Sequence, residues 1–131
     1  MYKNKTILIT GASSGLGKNI AINYAKQGGR IINLSRSEDK MKMLNIKLDK
    51  LNNLSNLYFS TDVSKYDSIK SIKNKLVKDK IYPDVIINNA AGNFLCTFNK
   101  LSENGWKRII DIVLNGSFNI YHVFGKELIS K

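Results

Sequence analysis

The chain has 131 residues, with 21 Lys and Arg against 10 Asp and Glu, a formal charge of +11 and 43% hydrophobic residues. That length allows one domain at most, and the apolar content is enough to build a core. The longest apolar runs, residues 85–87 and 109–114 with Asp111 inside, are far too short to span a bilayer, which excludes a membrane protein.

The N-terminus leads straight into strand-like Thr6–Thr10 and a glycine turn, without the apolar run and cleavage site of a secretory leader, so a cytoplasmic setting is expected. Cys96 is the single cysteine and His122 the single histidine, which argues against a disulfide scaffold and a metal site. Of the 21 basic residues 18 are Lys, dispersed along the chain; this reads as composition, and nucleic acid is not an expected partner. The charge can still raise the local concentration of anionic ligands.

Strand-like and helix-like segments alternate from the start, which predicts an α/β fold with parallel strands in the order 3-2-1-4 and helices on both faces. The first strand is Thr6–Thr10. Residues 16–28 carry Ile20, Ala21, Tyr24 and Ala25 at helical spacing and stop at Gly28 and Gly29. Arg30–Ser35 is the second strand. Ser37 is the expected N-cap of a helix with Met41, Leu44, Leu48 and Leu51 on one face, closed by Asn52 and Asn53. Leu57–Ser60 is the third strand. The next helix turns Ile69, Ile72 and Leu76 inward and Lys70, Lys73, Lys75 and Lys78 largely outward, before Val85–Ile87 forms the fourth strand. A loop to Leu101 follows; Ser102 caps a helix through Trp106, Ile109, Ile110 and Val113, and a further helical stretch covers residues 118–129.

Between the first strand and first helix lies Thr10-Gly11-Ala12-Ser13-Ser14-Gly15-Leu16-Gly17, a G-x-x-x-G-x-G spacing. Glycines there let backbone N–H groups approach a pyrophosphate, and the helix N-terminus adds positive potential; a tight packing turn is the simpler alternative. The second strand ends in Ser35 and Arg36, where an NAD-selective site would place an acid for the ribose 2′-hydroxyl. A guanidinium matches a 2′-phosphate in a bidentate manner, which favours NADP(H).

These motifs, with Asp62-Val63 after the third strand, Asn88-Asn89-Ala90-Ala91-Gly92 after the fourth and Asn115 in Val113-Leu114-Asn115-Gly116, resemble the short-chain dehydrogenase/reductase superfamily. The continuation Gly92-Asn93-Phe94-Leu95-Cys96, then Leu101-Ser102 and Asn104-Gly105-Trp106, is similar to the 2,4-dienoyl-CoA reductases in particular. The resemblance implies the N-terminal half of a doubly wound Rossmann sheet, with residues 1–131 as an NADP-binding domain ending before the fifth strand. It implies that Gly11, Ser13, Ser14, Gly15, Leu16 and Gly17 hold the pyrophosphate, Arg36 the 2′-phosphate, Asp62 and Val63 the adenine, and Ala90, Ala91 and Gly92 the adenine-side ribose and its surroundings, with Asn89 also among the cofactor-binding residues.

On the substrate side it implies that Asn93 donates to the thioester carbonyl of a 2,4-dienoyl-CoA, that Phe94 lies in the acyl site, and that Ser102 touches the CoA moiety. Asn115 matches a residue whose local helix distortion holds a proton-relay water for an active-site lysine. The implied activity is NADPH-dependent reduction of dienoyl-CoA thioesters in unsaturated fatty-acid oxidation. The superfamily's catalytic Ser and Tyr-x-x-x-Lys are expected downstream of Lys131, so the fragment alone is expected to be inactive and the longer chain a homo-oligomer. Tyr66 and Lys70 repeat the Tyr-x-x-x-Lys spacing but sit on the wrong helix. A 3-oxoacyl reductase and a non-catalytic nucleotide-binding half-domain are the alternatives.

Overall fold

The computed structural model describes residues 1–92 and 95–130. Four parallel strands, β1 (Thr6–Thr10), β2 (Arg30–Ser35), β3 (Leu57–Ser60) and β4 (Val85–Ile87), form one sheet in the order β3-β2-β1-β4. Side chains alternate across a strand, so the two faces of β1 enter different cores. Ile7 and Ile9 pack with Ala21 and Ala25 of α1 (Gly15–Lys26) and Leu44 and Leu48 of α2 (Glu38–Asn52). Leu8 packs with Ile69, Ile72 and Leu76 of α3 (Tyr66–Lys78) and Ile120 and Phe124 of α5 (Gly116–Ile129). Helices thus cover both faces, which is why β1 and β2 read as nearly continuous apolar runs.

Helix ends follow local chemistry. Gly28 takes φ +84°, its N–H donating to the Ala25 carbonyl at 2.9 Å while Gly29 N–H reaches the Tyr24 carbonyl at 2.9 Å. This is the Schellman closure, and it turns the chain into β2. Past α2, the buried Asn56 side chain accepts from Ile31 N–H at 2.8 Å and donates to Asp49 Oδ1 at 2.7 Å, tying the helix end to the start of β2.

Several expectations need correction. Ser37 precedes α2 but its side chain makes no capping bond. Leu51 is 38% exposed, because the buried stripe of α2 ends at Leu48. Lys73 turns inward, donating to the Val123 carbonyl at 2.7 Å and pairing with Glu127. Burial pushes the Glu127 carboxyl up, but the Lys73 ammonium outweighs it and the net shift is downward.

The last helical stretches are continuous: α4 (Glu103–Ile110), a π turn (Asp111–Asn115) and α5. Asn115-Gly116 therefore distorts the helix without breaking it, and Gly116 keeps helical angles. A Cβ at Gly116 would lie 2.6 Å from Val63 Cγ2, so the glycine lets α5 approach the exit of β3. No helix among the described residues is long and apolar enough to cross a membrane.

Candidate functional site

All four strands point the same way, so the turns leaving them meet at one edge, where chain order reverses between β1's two neighbours. Such a switch point opens a crevice. The turn after β1 and the turn after β4 are laced together across it. Thr10, fully buried, donates its hydroxyl to Asn88 Oδ1 at 3.1 Å and accepts from the N–H groups of Asn89 and Ala90, both at 2.9 Å. In return Asn89 Nδ2 donates to the carbonyls of Thr10 at 3.0 Å and Gly11 at 3.3 Å. Gly11 has φ +70°, and a Cβ there would come within 2.9 Å of Ala90 Cα.

Together these segments frame a cleft of about 550 Å³. From the glycine turn come Gly11, Ser13, Ser14, Gly15, Leu16 and Gly17; from the end of β2, Arg36; from the end of β3, Asp62 and Val63; from the end of β4, Asn89, Ala90 and Ala91. The structure brings twelve of the thirteen expected cofactor residues to the cleft's lining; Gly92 lies beyond it, with Ile112 against its α-carbon.

The donor set suits a dinucleotide. Ser14 precedes α1 without a side-chain cap and no acid stands in the first turn, so the helix's positive end meets no anionic side chain there. Ser35 donates its hydroxyl to Ser13 at 2.9 Å, fixing the turn to β2 beside Arg36. Asn89 lines the cleft, but its amide is spent on the turn.

Asp62 is the electrostatic feature of the opposite wall. Its Oδ1 accepts from Ser64 N–H at 3.0 Å and Ser64 Oγ at 2.7 Å, and its Oδ2 from Arg108 Nη2 of α4 at 2.7 Å. Partial burial pushes the carboxyl up, but the Arg108 and Ser64 hydrogen bonds outweigh it and bring it down to about 2. A depressed carboxylate stabilises the fold above its ordinary value near 3.8, and this contribution disappears as pH falls towards 2. Beside it, buried Asn119 donates to the Val63 carbonyl at 2.9 Å, so α5 fixes the neighbouring residue.

Of the expected substrate-side and relay residues, neither of the described ones, Ser102 and Asn115, lines this cleft. Asn93 and Phe94 lie outside the described residues. Ser102 caps α4, accepting from Gly105 N–H at 3.0 Å. Asn115 ends the π turn and donates from Nδ2 to Asp111 Oδ1 at 2.9 Å. The Tyr66–Lys70 spacing is on α3, where the Tyr66 hydroxyl pairs with His122 Nδ1 at 2.9 Å and Lys70 is exposed; neither lines the cleft. Six further residues line the cleft without being among the expected cofactor residues: Leu34, Ser35, Ser37, Lys40, Thr61 and Ile112. Lys40 lies in the first turn of α2, four residues after Arg36; Ile112 reads only as an apolar helix residue.

A family model described as short chain dehydrogenase matches residues 5–131. The chain is 35% identical over 116 residues to a Bacillus subtilis protein named "Probable 2,4-dienoyl-CoA reductase [(2E)-enoyl-CoA-producing]", covering 88% of this chain and 45% of that one. The chain spans about half the length of the curated relatives it matches. Among solved structures, a short chain dehydrogenase from Bacillus anthracis superposes with TM-score 0.87 at 36% identity, over 96% of this chain and 52% of that one. An alcohol dehydrogenase from Thermococcus sibiricus, complexed with 5-hydroxy-NADP, superposes with TM-score 0.88 at 28% identity, over 95% and 53% of the two chains.

Proposed function

We propose that this chain, which belongs to the short chain dehydrogenase family, is the cofactor-binding part of an NADPH-dependent oxidoreductase that reduces 2,4-dienoyl-CoA thioesters in unsaturated fatty-acid oxidation. The observation that carries the reading is the convergence of the glycine turn, Arg36 and Asp62 on one cleft. In this reading the α1 N-terminus and the turn's backbone hold the pyrophosphate, and Asp62 and Val63 take the adenine. Ala90 and Ala91, with Gly92 beyond them, flank the adjoining ribose. The bound dinucleotide supplies the hydride.

Support for NADP(H) is electrostatic. Arg36 follows Ser35 at the end of β2 with no acid at either position, and Lys40 adds a second cation on the same wall. NADPH is expected to bind more tightly than NADH, and Arg36→Ala to weaken NADPH by about 1.5–3 kcal/mol while leaving NADH nearly unchanged, as titration calorimetry would register. Equal affinities before mutation would remove the assignment.

Support for a dienoyl thioester comes from the Gly92-Asn93-Phe94 run and from the name carried by the Bacillus subtilis relative. Asn93 is assigned to donate its amide to the thioester carbonyl, where negative charge develops, and Phe94 to line the acyl chain. The Ser102 hydroxyl accepts the cap bond and keeps its own O–H to donate to the CoA moiety. Asn115, on a helix distortion, is assigned to hold a water for proton relay. A cytoplasmic setting and homo-oligomers of a longer chain belong to the same proposal.

Residues 1–131 alone are expected to bind NADPH without oxidising it in the presence of a 2,4-dienoyl-CoA. Joined to the matching C-terminal half of a dienoyl-CoA reductase relative, they are expected to turn over, with Asn93→Ala cutting the rate about 100-fold. Turnover by the 131 residues, or a joined chain that reduces 3-oxoacyl thioesters and ignores dienoyl ones, would overturn the reading.

A further inference from the structure

We propose that Arg108 is the positioning residue for base recognition: its guanidinium fixes the Asp62 carboxylate so that one remaining acceptor position on Oδ2 is left for an exocyclic amino group, which selects adenine over a 6-oxo base. The inference rests on the cofactor reading above and deepens it.

A carboxylate offers about four acceptor positions. Oδ1 already takes two donors, the N–H and the hydroxyl of Ser64, and Oδ2 takes one, Arg108 Nη2. One position on Oδ2 is left, on a residue that lines the cleft. Arg108 also donates from Nη1 to Ser64 Oγ at 3.3 Å, so the two arms of the guanidinium grip both Asp62 and the residue that holds its other oxygen. This fork is specific to Arg, because the Lys ammonium is a point charge without two fixed arms.

The grip also fixes the chemical character of the acceptor. The carboxyl is held at about 2, far below neutral pH, so it accepts and cannot donate. An adenine amino group supplies the hydrogen it needs. A hypoxanthine 6-oxo group would set an oxygen lone pair against the carboxylate, losing the bond and adding repulsion. Arg108 reaches this position from α4, 46 residues later in the chain, and it does not itself line the cleft. It therefore acts through Asp62.

The test compares binding of NADPH and of its hypoxanthine analogue, nicotinamide hypoxanthine dinucleotide phosphate, to the 131-residue chain. The wild-type chain is expected to prefer NADPH by about tenfold or more, the scale of one hydrogen bond to a charged group. Arg108→Met is expected to bring that ratio below about threefold, and Arg108→Lys to restore part of it. Should Arg108→Met fail to fold, Arg108→Gln, which keeps a donor but no charge, replaces it with the same expectation.

A merely structural Arg108 would weaken both ligands equally and leave the ratio unchanged, which overturns the inference while the cofactor reading stands. A wild-type chain that binds both ligands equally overturns it as well, since Asp62 then reads no base. Failure of the wild-type chain to bind either ligand removes the cofactor reading and the inference with it.

Discussion

Thr10→Val is expected to destabilise the chain by about 2–6 kcal/mol, since it strips the hydrogen-bond partner from two backbone N–H groups at about 1–3 kcal/mol each. Valine has nearly the shape of threonine, so little of the loss comes from packing. The Thr10 hydroxyl accepts from Asn89 and Ala90 N–H and donates to Asn88 Oδ1, at a site with no exposure to water. Water therefore cannot replace it without rearrangement. β4 is short and pairs with β1 over three residues, so the chain leaving it is held to the turn largely by this hydroxyl and by Asn89. Thr10→Ser keeps the hydroxyl and loses only a methyl group, at roughly 1 kcal/mol. Urea denaturation of the two variants separates the effects, and similar midpoints for Val and Ser would refute the bracing role.

β1 and β2 were legible because each is an apolar run buried on both faces, and the partly buried edge strands β3 and β4 because each is a short apolar run bounded by turn residues, so pairing with neighbours only confirmed what local composition demanded. The order 3-2-1-4 followed from strand-helix alternation and right-handed crossovers. The glycine turn and Arg36 were legible for the same reason: both are set by residues adjacent in sequence to the ends of strands.

What escaped depends on contacts between distant segments. Nothing near Arg108 says that it meets Asp62, and nothing near Lys73 separates it from the solvated lysines of α3 until α5 brings up Glu127 and the Val123 carbonyl. The apolar pattern places one helical stretch up to Val113 and another from Phe118, and it does not show that the two join. Here the distortion is absorbed as one π turn, and the glycine is needed for closeness to Val63.

Gly17→Ala should do more damage than Gly15→Ala, although both add a single methyl group in the same turn. A Cβ on Gly17 would lie 2.5 Å from the Gly11 carbonyl oxygen and 2.5 Å from Asn89 Nδ2, inside the lacing that joins the two turns. The Gly11 oxygen belongs to the backbone and cannot swing away, so α1 must move off the strand. The expected loss is about 3 kcal/mol of stability, the upper range for overpacking. NADPH affinity is expected to fall by roughly 100-fold, because a displaced helix N-terminus takes its charge-assisted N–H contacts with it. At Gly15 a Cβ meets nothing within 4 Å, and only its φ of +54° opposes alanine. That conformational strain costs roughly 1–2 kcal/mol, with the turn left in place. Thermal unfolding with and without NADPH tests both. The stabilisation by NADPH should survive in Gly15→Ala and vanish in Gly17→Ala, and the reverse order would mean that the close contact of α1 with Gly11 does not shape the cleft.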